Sequence, residues 1–174
     1  MAGPPCSLFV FMSSSIHMRS SNDETGDETN YKVRMANHIV RNYLEALSAV
    51  KRNGRLLWSV TEQPVSSHMP KLDEFKEFIT RHGIDYELTF MGSYGHELLK
   101  PTHLYGDLPT LDMMARTRPT NFKKSAQIEN YYYKDSKGRV SGAKLLPSSA
   151  EYPAKFCKAL FDAWKHAFSF RPKA

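Results

Sequence analysis

The sequence predicts an α/β fold in which strands and helices alternate and build a largely parallel sheet. Three observations predict it: amphipathic segments of helical length, apolar runs of strand length between them, and Pro or Gly at the boundaries. The 174 residues are enough for one domain with a substantial core. We divide that domain into an α/β part, residues 1–112, and a basic hairpin with a C-terminal helix packed on it, residues 113–174.

The first half begins with the turn at the end of a strand. Pro4-Pro5-Cys6-Ser7 is not how a helix or a central strand starts, because two prolines favour a turn. The polar segment 13–30 is predicted to be a mobile loop. A helix follows it, with Asn30 as N-cap, apolar residues at three- and four-residue spacing, and Gly54 as the stop. The next apolar run, ended by Pro64, predicts a strand covered on both faces.

The remaining elements follow from the same patterns. A second helix is expected over residues 70–83, and an alternating, half-buried strand over 84–90. Residues 100–109 predict a further short strand. A hairpin with its turn at residues 135–138 precedes a last helix that begins near Pro153 and is expected to bury Cys157 on its apolar face.

Composition excludes several classes of function. The chain has two cysteines without a CxxC pair and seven scattered histidines, so neither a disulfide framework nor a structural metal is expected. It has no apolar stretch of membrane-spanning length and no secretory leader, which predicts a soluble intracellular protein without a membrane partner. The net charge of +6 is concentrated in the second half, which favours a polyanionic partner.

Two strand ends carry residues that are able to do chemistry. One strand delivers Cys6, and the next delivers Glu62 in the segment Thr61-Glu62-Gln63-Pro64. In open α/β sheets, ligands bind outside the carboxyl ends of the strands. We therefore expect Cys6 and Glu62 to face one cleft as nucleophile and general acid. Lys100 and His103 are weaker candidates for the same cleft.

The order of these motifs resembles the second half of the C5-cytosine DNA methyltransferases. In that family a strand ends in Gly-Pro-Pro-Cys and the next ends in Glu-Asn-Val or Glu-Asn-Pro; here the segments are 3–6 and 62–64. Residues 103–111 are similar to a Phe/Leu-x-Gly-Asn-Leu-Pro segment of the family. The chain also resembles uncharacterised algal and protist proteins that share four short motifs, PPCS, EQP, KPT and a late YP. These are residues 4–7, 62–64, 100–102 and 152–153.

The resemblance implies a partial Rossmann-like methyltransferase sheet and a mechanism. The Cys6 thiolate would add to C6 of a cytosine, Glu62 would protonate or hydrogen-bond N3, and S-adenosylmethionine would supply the methyl group. The target base would have to leave the duplex.

The sequence also departs from the family. The cofactor-binding strands with their glycine-rich turn, and the Gln-x-Arg-x-Arg segment that helps seat the base, are absent, and Gln63 replaces Asn. We expect S-adenosylmethionine to bind only if a partner chain or a missing N-terminal half supplies its site. The chain is then a partial or degenerate methyltransferase-like protein that is inactive alone.

Residues 116–144 form the candidate nucleic-acid interface, with eight Lys/Arg against two acids and aromatic residues between them. The candidate contacts are Arg116, Arg118, Lys123, Lys124, Lys137 and Arg139. The segment is alternatively a solvated basic face whose tyrosines pack on the sheet. Two other functions stay open: a non-catalytic module that binds DNA or RNA, and a fragment of a longer protein. An incomplete sheet also predicts self-association, or a partner chain, at its exposed edge.

Overall fold

The computed structural model describes residues 4, 6–10, 13–20, 22–53, 58–120, 122, 132–138, 140–142 and 150–169, and all structural statements below refer to them. They form four helices: α1 (Ser14–His17), α2 (Tyr31–Arg52), α3 (Asp73–His82) and α4 (Ala154–Ser169). They also form five strands: β1 (Val60–Pro64), β2 (Asp85–Phe90), β3 (Pro101–Gly106), β4 (Tyr132–Lys134) and β5 (Val140–Gly142).

The two predicted helices of the first half are confirmed. The side chain of Asn30 caps α2 by accepting a hydrogen bond from the backbone N–H of Lys32. Gly83 ends α3 in the left-handed conformation that glycine adopts most easily. The predicted stop at Gly54 lies outside the described residues.

The mixed α/β class is confirmed, and the three-stranded sheet has the order β1-β3-β2. Strand β3 is antiparallel to both neighbours, so β1 and β2 run parallel to each other on either side of it. Helix α3 is the crossover between β1 and β2. The link from β2 to β3 covers only residues 91–100, which is too short for the crossover of about a dozen residues that a parallel strand needs. The largely parallel sheet that the sequence predicts is therefore not formed by these three strands.

The sheet separates two apolar clusters. On one face, Thr61 and Tyr105 contact the first two long helices: the Tyr43 hydroxyl lies 2.6 Å from Thr61 Oγ1, and the rings of Phe75 and Tyr105 are 5.3 Å apart. On the other face, Val60 and Leu104 belong to a cluster that α4 covers with Phe156, Ala163 and Ala167. Glu62 alternates with Thr61 along β1 and therefore lies on the α4 face.

The predicted alternation in β2 is wrong about which side chains are buried. Tyr86 and Leu88 are 54% and 41% exposed, whereas Thr89 is fully buried. The physical reason is the placement of the helices: the contacts of α2 and α3 with the sheet reach Thr61 of β1 and Tyr105 of β3. An aromatic and an aliphatic side chain are left on the surface.

The predicted hairpin and last helix are confirmed, but the burial of Cys157 is wrong. Strands β4 and β5 pair antiparallel around a turn in which Gly138 has a positive φ of 79°. The buried face of α4 is formed by Phe156, Ala163 and Ala167. Cys157 is one residue further along, about 100° around the helix, and is exposed.

The polar segment 13–30 holds a buried cation that the sequence did not predict. Arg19 is 6% exposed and donates hydrogen bonds to the carbonyl oxygens of Leu8 and Thr25 (2.9 and 2.8 Å) and to Asn37 Oδ1 (2.7 Å). Its guanidinium also lies 4.0 Å from the ring centre of Phe9. Burial lowers the pKa of Arg19 to about 10, so the side chain stays charged at neutral pH. This cation ties the N-terminal segment to α2.

We predict that Arg19→Met destabilises the protein by about 3 kcal/mol, because each buried acceptor left unpaired costs about 1–3 kcal/mol. Urea unfolding measures the effect, with the exposed Arg34→Met as control. Equal stability of the two variants would contradict the network's role.

Candidate functional site

Glu62 is a buried acid with one oxygen unused. Its neighbours in the sheet cluster, Val60 and Leu104, are apolar, and the residue is only 5% exposed. Oε2 accepts a hydrogen bond of 3.0 Å from the hydroxyl of Tyr152, which precedes α4. Oε1 is buried and has no hydrogen-bond partner among the described residues. A buried polar atom without a partner is uncommon in native proteins and is a reason to look for a ligand.

Cys6 is held beside the sheet by hydrogen bonds on both sides of it. The backbone N–H of Phe9 donates to the Cys6 carbonyl (2.8 Å), and the N–H of His68 donates to the Phe9 carbonyl (2.7 Å). Phe9 is fully buried. Before the cysteine, Gln63 Nε2 donates to the carbonyl of Pro4 over 3.5 Å. The segment that follows β1 therefore fixes the segment that carries Cys6.

The thiol of Cys6 interacts electrostatically with Glu62. Burial is the main factor that raises the pKa of Cys6, and the negative charge of Glu62 raises it further. The positive charge of Lys100 acts in the opposite direction. Glu62 lies inside β1 and Cys6 lies outside the described strands, so the expected meeting of two strand ends is not seen, and a shared cleft for the two side chains stays a prediction. The raised pKa leaves the thiol protonated at neutral pH.

The side chain of Lys100 reaches the surroundings of Glu62 and Cys6 from the turn before β3. Its backbone has a φ of +39°, in the left-handed region that residues other than glycine rarely occupy. Its ammonium nitrogen lies 5.4 Å from the ring centre of Tyr152. The Tyr152 pKa is raised first by burial and then by the charge of Glu62, so the hydroxyl keeps the proton that it donates.

The four short motifs of the sequence thus each contribute one residue to one cluster. PPCS gives Cys6, EQP gives Glu62, KPT gives Lys100 and YP gives Tyr152. Sequence reasoning assigned roles to the first two, ranked Lys100 as weaker and gave Tyr152 none. The signal was present in the motifs, but nothing in their spacing says which residue of KPT or YP points inward.

The cluster combines three chemical capacities. A carboxylate oxygen accepts a hydrogen bond, an ammonium group donates one, and a thiol supplies a nucleophile once deprotonated. These groups suit a small polar ring that has both donors and acceptors.

Arg116, the first residue of the basic segment, is connected to this cluster by a row of aromatic rings. The guanidinium of Arg116 lies 5.2 Å from the ring centre of Tyr94, and its Nη1 donates to the carbonyls of Met113 and Ala115. The Tyr94 ring contacts Phe156 (5.3 Å), and Phe156 stacks on Tyr152 (5.5 Å, 24°). Arg116 is therefore on the same face of the sheet as Glu62.

The other predicted interface residues are only partly described. Arg118 is exposed, and Lys137 is exposed in the turn between β4 and β5. Lys123, Lys124 and Arg139 lie outside the described residues.

The described residues do not fit S-adenosylmethionine. Binding of its charged and hydroxyl groups would need a glycine turn between a strand end and a helix start. The glycines of positive φ in the described ranges end a helix or close a turn, and none of them joins a strand to a following α-helix. Within the same ranges no group of three or more His, Cys, Asp or Glu is placed to hold a metal ion. No helix there is both long and apolar enough to cross a bilayer.

No protein-family model, curated protein or solved structure matches this chain.

We predict that Glu62→Gln lowers the Cys6 pKa, because it removes the negative charge that raises it. Alkylation by iodoacetamide, followed against pH in a Cys157→Ser background, should show its midpoint at lower pH and a faster rate at pH 7.5. The serine background is needed because Cys157 is exposed. Glu45→Gln, on the exposed side of α2, is the matched control. An unchanged midpoint would show that Glu62 does not act on the thiol.

Proposed function

We propose that this chain is a partial C5-cytosine methyltransferase-like protein that acts on nucleic acid and does not methylate alone. The observation that carries the proposal is the buried carboxyl of Glu62, with Oε1 unpartnered, beside the thiol of Cys6. These are the two groups that addition to a cytosine ring requires, and the resemblance assigns them those roles. The proposed target is a base that has left its stack.

The chemistry needs a thiolate at Cys6 and a proton on Glu62, because N3 of cytosine accepts a hydrogen bond that an ionised carboxyl does not have to donate. The thiolate adds to C6 of the ring and breaks the C5=C6 double bond, while Glu62 holds N3, so that C5 gains the electron density. The raised pKa of Cys6 opposes the first step at neutral pH, which supports the expectation that the chain is inactive alone. Approach of a base, or of a partner chain, would have to offset the raised pKa of Cys6.

The strand directions support an origin of this sheet in a doubly wound fold. Strands β1 and β2 run parallel and are joined through α3, and β3 is the antiparallel strand. Doubly wound sheets commonly carry an antiparallel strand at an edge; here the antiparallel strand β3 lies one strand in from β2. We propose that these strands are one end of a Rossmann-like sheet. S-adenosylmethionine would then bind only when a partner chain or an N-terminal half supplies its site.

Two surfaces are proposed for partners. The basic segment that begins at Arg116 would contact DNA or RNA phosphates. The edge strand β2, with Tyr86 and Leu88 exposed, would pair with another chain or a second copy.

A non-catalytic nucleic-acid-binding module is the second candidate. The raised pKa of Cys6 favours it, because a protonated thiol is not a nucleophile. On this alternative the Glu62 site binds a base without chemistry.

A cofactor-free half-reaction tests the first candidate against the second. In this half-reaction Cys6 adds to C6 and water protonates C5. Loss of the original C5 hydrogen and release of the thiolate then restore the ring, so the C5 hydrogen has exchanged with solvent. We predict tritium release from [5-³H]cytosine in single-stranded DNA, at a rate that increases with pH because the thiolate fraction increases. Cys6→Ser should abolish the release, and Cys157→Ser should leave it unchanged. Release at the rate of the protein-free control would contradict the catalytic proposal.

Salt dependence tests the nucleic-acid interface. If about four to six cations reach phosphates, the logarithm of the affinity for duplex DNA should fall with log salt at a slope of roughly −4 to −5. Joint change of Lys123, Lys124, Lys137 and Arg139 to Ala should flatten the slope. Joint change of the exposed Lys32, Arg34, Lys71 and Arg81 to Ala is the matched control. Equal, negligible binding by the native chain and both variants would leave the basic segment as a solvated face.

A further inference from the structure

We infer that the exposed side of helix α4 is a docking surface for an acidic amphipathic helix of a partner protein. This surface is separate from the proposed function, because it uses neither Cys6 nor Glu62. Three observations carry the assignment: aromatic side chains that face solvent, their spacing along the helix, and lysines along one border. The surface, which we call the aromatic stripe, consists of Cys157, Phe161, Trp164 and Phe168.

Three aromatic side chains of the stripe face solvent. Phe161, Trp164 and Phe168 are 56%, 44% and 38% exposed. The ring centres of Trp164 and Phe168 are 4.6 Å apart, and Phe168 also contacts the ring of Trp58 at 5.0 Å. Cys157 is exposed at the other end of the stripe. Contiguous apolar patches on a protein surface mark interaction sites, whereas single exposed apolar residues need no explanation.

The aromatic stripe has the spacing of a helix–helix seam. Its four residues follow one another at intervals of four, three and four positions. This is the alternation of a and d positions in a coiled coil. At about 100° per residue, the four side chains lie within roughly 60° of the helix circumference. Such a narrow apolar band suits one helix laid along α4.

The stripe is formed before any partner arrives, because α4 is fixed on the sheet by its other side. Phe156 and Ala163 are fully buried in the core beneath the helix. The hydroxyl of Thr110 also donates a hydrogen bond of 2.7 Å to the Ala163 carbonyl. A surface that is already ordered loses little conformational entropy on binding, which favours affinity.

Lysines form the border of the stripe that faces away from the core. Lys158 and Lys165 each follow a d-position residue of the seam, so they occupy e positions, whose charges select the partner in coiled coils. The Lys165 ammonium lies 5.4 Å from the ring centre of Phe161. The whole of α4 carries three lysines and one acid, Asp162. A helix that complements this border therefore carries Asp or Glu beside its own apolar seam.

The same residues argue against two other occupants. A second copy of α4 would bring another row of lysines, and its single acid already pairs with Lys158 at 2.6 Å. A single-stranded nucleic acid binds aromatic side chains by stacking bases on their faces. Here the rings of Trp164 and Phe168 meet edge to face at 83°, and the Lys165 ammonium lies over the Phe161 ring. An acidic helix is therefore the occupant that charge and geometry both favour.

Two designed peptides of about three heptads serve as probes. Both have Leu at a and d and Ala at b, c and f; one has Glu and the other Lys at e and g. Like charges at e and g keep each peptide from pairing with itself. Fluorescence anisotropy of the labelled peptides gives their Kd. Alkylation of Cys157 by iodoacetamide in a Cys6→Ser background reports binding at the stripe itself, because this thiol is exposed and belongs to the stripe.

We expect the acidic peptide to slow alkylation of Cys157 and to bind about tenfold more tightly than the basic peptide, since two favourable charge pairs replace two repulsive ones. Phe161→Gln and Trp164→Gln should each raise the Kd of the acidic peptide about tenfold or more, as loss of an aromatic anchor does. Met35→Gln and Ile39→Gln, at exposed apolar positions of α2, are the matched controls and should leave it unchanged.

Charge reversal separates recognition from folding. Joint change of Lys158→Glu and Lys165→Glu should invert the preference, so that the basic peptide binds more tightly than the acidic one. A damaged surface would lose both peptides and would not exchange one for the other. Joint change of Lys32→Glu and Arg34→Glu, on the exposed side of α2, is the matched control and should keep the native preference.

Four outcomes would overturn the inference. Equal binding of the two peptides by the native chain would remove the charge selection, and unchanged alkylation of Cys157 would remove the stripe as their site. Light scattering that shows a dimer of the native chain and a monomer of Trp164→Gln would make a second copy the occupant. Loss of oligo-dT binding in Phe161→Gln, with unchanged peptide binding, would make it a nucleic-acid strand. None of these measurements uses the chemistry of Cys6, so their failure would leave the proposed function untouched.

Discussion

Burial of the Glu62 carboxyl group beneath the start of helix α4 is the constraint on which the candidate site depends. Removing a charge from water costs several kcal/mol even after the protein relaxes. Among the described residues only one of its oxygens accepts a hydrogen bond, from the Tyr152 hydroxyl, and the Lys100 ammonium lies 5.4 Å from the ring centre of that tyrosine. Any residue that fixes α4 on the sheet therefore also sets the environment of Glu62.

That helix is held by contacts along its whole length. Phe156 is buried in the cluster with Leu104 and Met91, and the Thr110 hydroxyl donates to the Ala163 carbonyl over 2.7 Å. The same Phe156 connects the ring of Tyr94, beneath Arg116, to Tyr152. Arg116 and the buried carboxyl group thus contact the same packed row of aromatic rings, so a change at either one alters the packing of shared neighbours.

Local patterns predicted the helices well and the sheet poorly. Asn30 begins α2 and Gly83 ends α3 through contacts with neighbouring residues alone, so both helix ends were predictable. Strand β3 pairs between two parallel strands because the link that precedes it is short. The spacing of apolar residues does not show in which direction the chain returns after such a link. The exposure of Tyr86 and of Cys157 follows from which helix covers which strand, a tertiary property. For the same reason the motifs suggested Cys6 and Glu62 together, while the role of Tyr152 became visible only from its hydrogen bond.

The left-handed backbone of Lys100 has a consequence for how this position would respond to selection. Glycine or asparagine would adopt that conformation at lower cost than lysine, so selection for abundance alone would replace the lysine. Selection for the proposed function would retain it. In a library that samples every residue at position 100, the two selections would rank the amino acids in different orders, and the difference would measure how much stability the protein gives up for its cation.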